Sequence, residues 1–227
     1  MVLVLGIKCS ETHTSSPQAR KMKKAIDVFG KWAEVGKDIG MEQGHANSVK
    51  EMLAFALDER VSIGKNFSFL DFGSGNGWVP RLVKDNPLCS KAVGIDGAVQ
   101  MINNAKSRGG DVEYIHADIT TYTPKYKFDL IHSMEVLYYL EDPKYILKKI
   151  VSEWLTDGGR LIAGIDHYYE NKDSHSWEEK LQTPMLMLKE SEWLNFFMSS
   201  GLSEVRSWRS NQAQNWAGTL VLTGKRN

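Results

Sequence analysis

The pattern of apolar and polar residues divides the chain into a helical N-terminal part and a longer part in which strands and helices alternate. Apolar residues from Val49 to Ala56 recur at helical spacing, and two helices are predicted over residues 19–34 and 45–60. Glycines punctuate residues 36–44, which are predicted to form a loop between these helices. Further along the chain, short apolar runs alternate with helix-like segments, a rhythm typical of parallel strands joined by crossover helices.

Seven apolar runs predict a single sheet. The expected strands span residues 67–72, 91–96, 111–116, 127–132, 158–166, 202–208 and 216–224. The last two can pair as an antiparallel hairpin, and a helix is expected to begin at Asp142 and Pro143, an N-cap acid followed by proline. The predicted fold class is α/β: a seven-stranded, mostly parallel sheet with helices on both faces and an N-terminal helical extension.

Three glycines alternate directly after the first predicted strand. Residues 69–77 read FLDFGSGNG. Glycine has no Cβ, so the backbone can adopt positive φ and a ligand can approach it closely. The spacing G-x-G-x-G departs from the dinucleotide pattern G-x-G-x-x-G, because Trp78 stands where the third glycine is required. The phosphate-loop pattern is absent as well, so the turn predicts a different kind of ligand.

Acids close the first three predicted strands. Asp71 stands two residues before the first glycine, Asp96 ends the second run and Asp118 follows the third. In an open parallel sheet these ends share the edge at which ligands bind. Asp96 can accept two hydrogen bonds from a ribose diol, and Asp118 can accept one from an exocyclic amine while Ile119 covers a purine face. Each acid alone is explained equally well as a cap or a turn residue, but three at successive strand ends indicate a nucleoside site.

These segments, in this order, resemble the motifs of class I S-adenosylmethionine-dependent methyltransferases. The first motif corresponds to residues 70–77, the second to 94–96, the adenine-contact motif to 117–119, the segment beside the methionine moiety to 128–137, and the glycine-led fifth strand to 158–163. The resemblance implies a Rossmann-like methyltransferase fold with S-adenosyl-L-methionine as cofactor and S-adenosyl-L-homocysteine as product. It is specific for the cofactor and does not identify the acceptor.

The same resemblance assigns parts of the cofactor to parts of the chain. It puts the methionine moiety near Gly73 and residues 133–135, the ribose at Asp96, and the adenine between Met101 or Gly97 and Ile119. Cofactor contacts are therefore expected at Asp71, Gly73, Ser74, Gly75, Gly77, Asp96, Gly97, Met101, Asp118, Ile119, Ser133 and Met134.

Three further side chains are candidates for catalysis on the acceptor. Glu135 corresponds to a position beside the transferred methyl group in relatives, where it can bind an amine or remove a proton. His167 follows the fifth predicted strand and is a candidate base, and His45 belongs to the N-terminal helices, which often form a lid in relatives. The plain alternatives are a surface acid, a loop histidine and a helix-start residue. A base is needed only where the acceptor atom carries a proton.

Composition limits the classes of partner. Lys and Arg total 28, as do Asp and Glu, so the net charge is zero, which argues against nucleic acid or an anionic membrane as a partner. The two cysteines, Cys9 and Cys89, have no metal-ligand spacing and suit a reduced compartment. No apolar stretch approaches a membrane span, and residues 1–7 lack the basic region of a signal peptide. We therefore expect a cytoplasmic monomer or homodimer without a metal.

The chain length of 227 residues suits one large domain with an extension. The expected division is a mobile N-terminus over residues 1–18, a helical cap over 19–60 and a cofactor-binding α/β domain over 61–227.

The predicted function is methyl transfer to an O, N or S atom of a small molecule, covered by the cap and by residues 167–190. Residues 133–136 read SMEV where amino-methylating DNA and glutamine enzymes have an Asn-Pro-Pro-Tyr type motif, which disfavours those branches. No cysteine follows the fourth strand, which disfavours cysteine-dependent cytosine methylation. The alternatives are an RNA or protein methyltransferase and a non-catalytic, cofactor-binding regulatory protein.

Overall fold

Seven strands form one sheet in the computed structural model, which describes residues 22–227. They are β1 (Phe67–Phe72), β2 (Cys89–Asp96), β3 (Glu113–His116), β4 (Phe128–Met134), β5 (Leu155–Ile165), β6 (Leu202–Ser210) and β7 (Thr219–Arg226). Their order across the sheet is β3-β2-β1-β4-β5-β7-β6. The first five strands pair in parallel, and β7 lies antiparallel between β5 and β6. The predicted fold class is confirmed.

Seven α-helices accompany the sheet. They are α1 (Ala25–Glu34), α2 (Asp38–Ile63), α3 (Trp78–Lys84), α4 (Val99–Ser107), α5 (Pro143–Lys149), α6 (Trp177–Leu181) and α7 (Glu190–Ser199). The helix predicted at Asp142 begins there: its carboxylate accepts a hydrogen bond from the Tyr145 N–H at 2.9 Å, and Pro143 occupies the first helical position. Among the described residues, no helix combines the length and the apolar character that crossing a membrane requires.

The N-terminal helices differ from their predicted bounds. The first begins at Ala25, and the second begins at Asp38 and runs for 26 residues through Gly40 and Gly44. The prediction of a loop over residues 36–44 is therefore wrong beyond Lys37. Glycine disfavours a helix interior by about 1 kcal/mol, but this preference is weak and tertiary contacts override it. The predicted mobile segment, residues 1–18, lies outside the described residues.

The central strand β1 is buried on both faces, as expected for a parallel sheet covered by helices. Phe67 and Phe69 share a core cluster with Met52 of α2. The alternate residues Leu70 and Phe72 belong to the cluster on the opposite face, which includes buried residues of α5 and α7. This packing fixes the strand's register, so the acid and the glycines that follow it emerge at a defined point of the sheet edge.

Candidate functional site

A cavity of about 950 Å³ lies at the carboxyl ends of the parallel strands. The glycine turn after β1 and the residues that follow β2, β3 and β4 form its walls, and residues of α1 and α2 complete its lining. Phe29 of α1 contacts Tyr139 edge-to-face, with the ring centroids 5.3 Å apart, so the helical cap packs against the segment after β4. Open parallel sheets bind ligands at this edge, and the volume suits a nucleoside-sized molecule.

The turn after β1 has a backbone that requires glycine. Gly73, Gly75 and Gly77 have φ values of +72°, +51° and +76°. A Cβ at Gly73 would overlap Val136, and one at Gly77 would overlap the Tyr114 ring. Gly73 and Gly75 line the cavity, so the turn presents bare backbone to a ligand there.

Asp96 holds this turn against the end of β2. Its Oδ2 accepts a hydrogen bond from the Gly75 N–H at 2.9 Å, and its Oδ1 accepts one from the Ala98 N–H at 2.7 Å. Burial raises the Asp96 pKa to about 6, although both N–H groups act in the opposite direction. Asp96 also lines the cavity, and each carboxylate oxygen retains a lone pair for a ligand hydroxyl.

Most of the predicted cofactor contacts line this cavity. They are Asp71, Gly73, Ser74, Gly75, Asp96, Gly97, Met101, Asp118, Ile119 and Met134. Asp118 is exposed, and its Oδ1 accepts hydrogen bonds from the Thr120 N–H and hydroxyl at 2.8 and 2.7 Å. Ile26 of α1 packs closely against the sheet edge at Gly97. A Cβ at position 97 would lie only 2.7 Å from the Ile26 Cγ2.

Two predicted cofactor residues lie outside the cavity lining. Ser133 is buried, and its hydroxyl donates a hydrogen bond to the Phe72 carbonyl at 3.0 Å. Gly77 packs against Tyr114, whose hydroxyl donates to the Gly77 carbonyl at 3.0 Å. Both residues support the walls of the cavity from behind, and a direct cofactor contact at either remains only a prediction.

A buried carboxylate–imidazole pair lies beneath the turn. Asp71 Oδ1 and His132 Nδ1 are 2.7 Å apart, and both residues line the cavity. Burial raises the pKa of Asp71, and His132 partly opposes the shift. The other ring nitrogen of His132, Nε2, is buried and has no hydrogen-bond partner within the described part of the chain. The sequence analysis did not single out His132; the only signal was its place inside the matched segment 128–137.

A second cluster combines residues from three elements. His45 of α2, Glu135 after β4 and Asp166 after β5 bring their donor atoms within 4.8 Å of one another. His45 Nε2 lies 3.7 Å from Asp166 Oδ2, and His45 and Glu135 line the cavity. We call these three residues the acidic cluster. Sequence analysis named His45 and Glu135 separately and missed Asp166.

Glu135 is fixed on both of its carboxylate oxygens. Oε1 accepts a hydrogen bond from the Asp166 backbone N–H at 2.5 Å, and Oε2 accepts one from the Tyr138 hydroxyl at 2.5 Å. Its φ is +61°, a left-handed conformation that disfavours a non-glycine residue by about 1–2 kcal/mol. Strained backbone of this kind tends to occur at functional sites, where the surrounding structure maintains it.

Burial shifts the titration of the whole acidic cluster. It raises the pKa of Glu135 well above its ordinary value, and the charge of Asp166 adds to this shift. It also raises the pKa of Asp166, against the influence of His45. Burial lowers the pKa of His45, while Asp166 and the Met41 carbonyl oppose the change. Burial therefore disfavours the charged forms of all three groups.

His167 lies away from the cavity lining. Its ring is buried, its Nδ1 is 3.1 Å from the Ser174 carbonyl, and its centroid is 5.2 Å from that of Tyr138. Burial lowers its pKa. The structure thus brings His45 and Glu135 to the cavity and leaves His167 in the layer behind it, where no contact in this structure supports a role as base.

The N-terminal end of α2 is tied to the glycine turn by a polar network. The Asn76 side-chain amide donates to Asp38 Oδ2 at 3.2 Å and to Glu42 Oε2 at 3.0 Å. Arg108, just after α4, donates to the same Asp38 oxygen at 2.7 Å. Asp38 and Asn76 are buried. Sequence reading missed this network because the segment around Asp38 resembled a loop.

Part of this chain matches a known family of protein domains. Residues 70–163 match the family model described as a methyltransferase domain. (S)-coclaurine N-methyltransferase of Papaver somniferum is 28% identical over 163 residues, which cover 66% of this chain and 46% of the relative. Trans-aconitate 2-methyltransferase of Azoarcus sp. (strain BH72) is 26% identical over 111 residues, covering 49% and 44%. The chain therefore spans about half the length of these relatives.

Solved structures share the fold. A chain of the Haloferax volcanii complex that contains the Trm112 methyltransferase activator superposes with a TM-score of 0.75 and 26% identity, covering 87% of this chain and 96% of that chain. The N-methyltransferase NodS of Bradyrhizobium japonicum WM9, in complex with S-adenosyl-L-homocysteine, gives a TM-score of 0.61 at 21% identity, covering 80% and 86%.

Proposed function

We propose that this chain, whose residues 70–163 match a methyltransferase domain, is a class I S-adenosylmethionine-dependent methyltransferase whose cavity binds S-adenosyl-L-methionine and transfers the methyl group to a small-molecule acceptor. The observation that carries the proposal is the left-handed glycine turn, held by the Asp96 carboxylate at the cavity wall. The bare backbone after β1 and the carboxylate at the end of the neighbouring strand β2 suit a ligand that has both an amino-acid moiety and a ribose.

The cavity residues fit this cofactor. A Cβ at Gly73 would overlap Val136, so this position of the turn must be bare backbone, and the methionine moiety would lie along it, beside Met134. Asp96 would accept the ribose hydroxyls through its remaining lone pairs, and Asp118 would accept from the adenine amine. Gly97, Met101 and Ile119 supply apolar contacts for the ring. The carboxylates of the lining also favour a ligand that carries a positive charge.

The protein's part in catalysis is chiefly to hold the acceptor in line. When bound, the cofactor supplies a methyl group on a positively charged sulfur, which leaves as a neutral thioether. Alignment of two reactants in near-attack geometry contributes about 7–11 kcal/mol, whereas general-base assistance contributes roughly 10²–10⁴-fold. Helices α1 and α2 contribute residues to the cavity lining. They would exclude water once the acceptor is in place.

An acceptor of small size is supported by the cap. Phe29 and Tyr139 pack together at the cavity, so the helical cap covers part of the space in which an acceptor would bind. The net charge of zero also gives no general attraction to nucleic acid. A polymeric acceptor is the second candidate, favoured by the structural likeness to a chain found in complex with a methyltransferase activator.

Calorimetry with S-adenosyl-L-homocysteine tests the cofactor assignment. Asp96→Ala is expected to weaken binding by about 1–3 kcal/mol because the ribose loses a charged acceptor. Since the Asp96 pKa is about 6, wild-type affinity should fall as the pH is lowered through 6, and Asp96→Ala should lose that dependence. Unchanged affinity in the variant would remove the ribose assignment.

Transfer of a labelled methyl group to fractionated acceptors tests the activity. Incubation with a metabolite extract, total RNA and lysate proteins should label the metabolite fraction. Labelling of RNA or protein alone would support the polymeric candidate. Cofactor binding with no labelled fraction would support a regulatory, non-catalytic protein instead.

A further inference from the structure

Resting on the proposed function, we infer that the acidic cluster of His45, Glu135 and Asp166 is an acceptor subsite that binds a protonated amine and prepares its nitrogen for methylation. The acceptor class is thus an amine, in preference to a carboxylic acid or an alcohol.

The cluster carries two carboxylates without a resident cation. Among residues 22–227, Glu135 forms no ion pair with Lys or Arg, and Asp166 is paired only with His45, at 3.7 Å. Two acids this close repel each other when both are ionised, so the ionised pair favours a positively charged ligand. An ammonium group supplies that charge together with its N–H donors.

Asp166 provides an independent indication of a ligand. Its side chain is 6% exposed, and its Oδ2 lies 3.7 Å from His45 Nε2. Its other oxygen, Oδ1, is buried and has no hydrogen-bond partner of normal geometry among residues 22–227, although the nearby Thr219 hydroxyl lowers the Asp166 pKa. An unsatisfied buried acceptor costs about 1–3 kcal/mol, and a donor from a bound molecule would remove that cost. Asp166 lies just outside the cavity lining, and its acceptor oxygen belongs to a side chain that contacts His45, which is part of that lining.

The cavity is poorly suited to an anionic acceptor. Among residues 22–227, its lining contains no arginine, and the two lysines there, Lys23 and Lys24, are exposed. A carboxylate at the acidic cluster would meet Glu135 and Asp166 without a countercharge. An uncharged hydroxyl acceptor would leave the two acids uncompensated.

A divalent metal ion is the competing occupant of the same residues. Both oxygens of Glu135 already accept hydrogen bonds, from the Asp166 N–H and the Tyr138 hydroxyl. An ion would have to use the remaining lone pairs and draw together donor atoms that are spread over up to 4.8 Å. An ammonium tolerates this spacing, because each of its N–H groups reaches an acceptor at about 2.7–3.2 Å.

His45 completes the chemistry by taking the proton. A bound ammonium has no free electron pair, so it must transfer one proton before it reacts. Burial lowers the pKa of His45, which keeps its ring neutral and able to accept that proton, and Asp166 then faces the imidazolium. The amine lone pair forms the new N–C bond as the S–C bond breaks, the bonding electrons stay on sulfur, and His45 returns the proton to solvent.

Calorimetry on protein saturated with S-adenosyl-L-homocysteine tests the inference. The probes are amines, alcohols and carboxylates built on matched butyl, benzyl, phenylethyl and imidazolylethyl skeletons. At least one amine should bind tenfold more tightly than its matched alcohol and carboxylate. Glu135→Gln and Asp166→Asn should each reduce that preference at least tenfold, and Asp166→Asn should leave affinity for S-adenosyl-L-homocysteine within twofold. Glu141→Gln, which removes an exposed acid from the rim of the same cavity, should keep the preference.

The outcomes separate the two proposals. Failure of S-adenosyl-L-homocysteine to bind would overturn the proposed function itself. Binding of S-adenosyl-L-homocysteine with no amine preference on any skeleton would overturn only the amine subsite. Stoichiometric binding of Zn²⁺ or Mn²⁺ that Asp166→Asn abolishes would replace the amine subsite by a metal centre.

Discussion

At the scale of single residues, three residues with a left-handed backbone line the cavity. Gly73 and Gly75 are left-handed where the turn meets the cavity, and Glu135 is left-handed where it faces the acidic cluster. Glycine adopts this conformation without penalty, whereas Glu135 is held in it by hydrogen bonds to both of its carboxylate oxygens. The two glycines and Glu135 thus share a left-handed backbone conformation for different physical reasons.

Gly73→Ala is expected to weaken binding of S-adenosyl-L-homocysteine at least tenfold, or about 1.4 kcal/mol. The new Cβ would overlap Val136 and would also strain a backbone with φ of +72°. Calorimetry on the purified variant measures the effect.

Gly109→Ala is the matched control, because φ there is +70° and nothing lies within 4 Å of the added Cβ. It should cost about 1 kcal/mol of stability and leave affinity intact. Wild-type affinity in Gly73→Ala would show that the turn does not cradle the cofactor.

At the scale of elements, α2 links the cap to the sheet. Its first turn holds the glycine turn through Asp38 and Asn76, and its middle packs on β1 through Met52. Near its C-terminal end, Glu59 forms a hydrogen bond to Arg160 of β5 at 2.7 Å. The sequence predicted this region only as part of a cap, but α2 belongs to both the cavity wall and the hydrophobic core.

Asp38→Asn should destabilise the protein by about 2 kcal/mol and weaken binding of S-adenosyl-L-homocysteine several-fold. The amide that replaces the carboxylate leaves Arg108 without its closest anionic partner and loosens Asn76 beside the turn. Breaking a fully buried pair costs about 3–5 kcal/mol, and the smaller figure reflects the partial exposure of Arg108.

Thermal unfolding and calorimetry measure the two effects of this substitution. Asp58→Asn makes the same change on an exposed position of the same helix and should alter neither quantity. Equal behaviour of the two variants would mean that the Asp38 network does not support the turn.

At the scale of the whole molecule, one charge network joins α2 to the C-terminal strands. Glu59 contacts Arg160 of β5 and Lys225 of β7, and Lys225 also contacts Glu204 of β6 at 3.3 Å. Burial opposes ionisation of Glu59, yet Arg160 and Lys225 together lower its pKa to about 2. The network therefore stabilises the fold wherever Glu59 is charged.

Glu59→Gln should cost about 1–2 kcal/mol at pH 7, less than the full pKa shift implies because Glu59 is partly exposed to solvent screening. Because folding lowers the Glu59 pKa, ionisation of Glu59 stabilises the folded state. The contribution is complete above the ordinary value of 4.5 and is lost as the pH falls toward 2, so the difference from wild type should shrink over that window.

Urea unfolding at a series of pH values measures this dependence. Glu204→Gln is the control, since Glu204 touches the same Lys225 but is half exposed, and its effect should stay below about 0.5 kcal/mol. A loss in Glu59→Gln that does not change with pH would assign the effect to packing instead of charge.

The sequence predicted the features that depend on local pattern. The bounds of β1 and the glycine turn follow from an apolar run and from residues that tolerate positive φ. The seven-stranded, mostly parallel sheet follows from the alternation of strands and helices. Asp71, Asp96 and Asp118 were found because each stands at the end of such a run.

The features that escaped prediction depend on contacts between distant parts of the chain. The N-terminal part of α2 resembled a loop because Gly40 and Gly44 are poor helix formers, whereas the contacts of Asp38 decide the outcome. At the end of β5, the strand stops at Ile165 and not at the predicted residue 166. Asp166 lies beside His45 and the next residue, His167, lies behind the cavity, a distinction that composition and spacing do not contain.

The length of α2 determines how molecules reach and leave the interior. At 26 residues the helix is a rod of about 39 Å, fastened at its first turn, along its middle and near its last turn. Because α2 is held at these three points, we expect it to keep its position relative to the sheet. The short connection before it contains Gly36, left-handed with φ of +73° and open space where a side chain would stand. We therefore expect any movement that admits a molecule to the cavity to occur in α1, with Gly36 as its hinge.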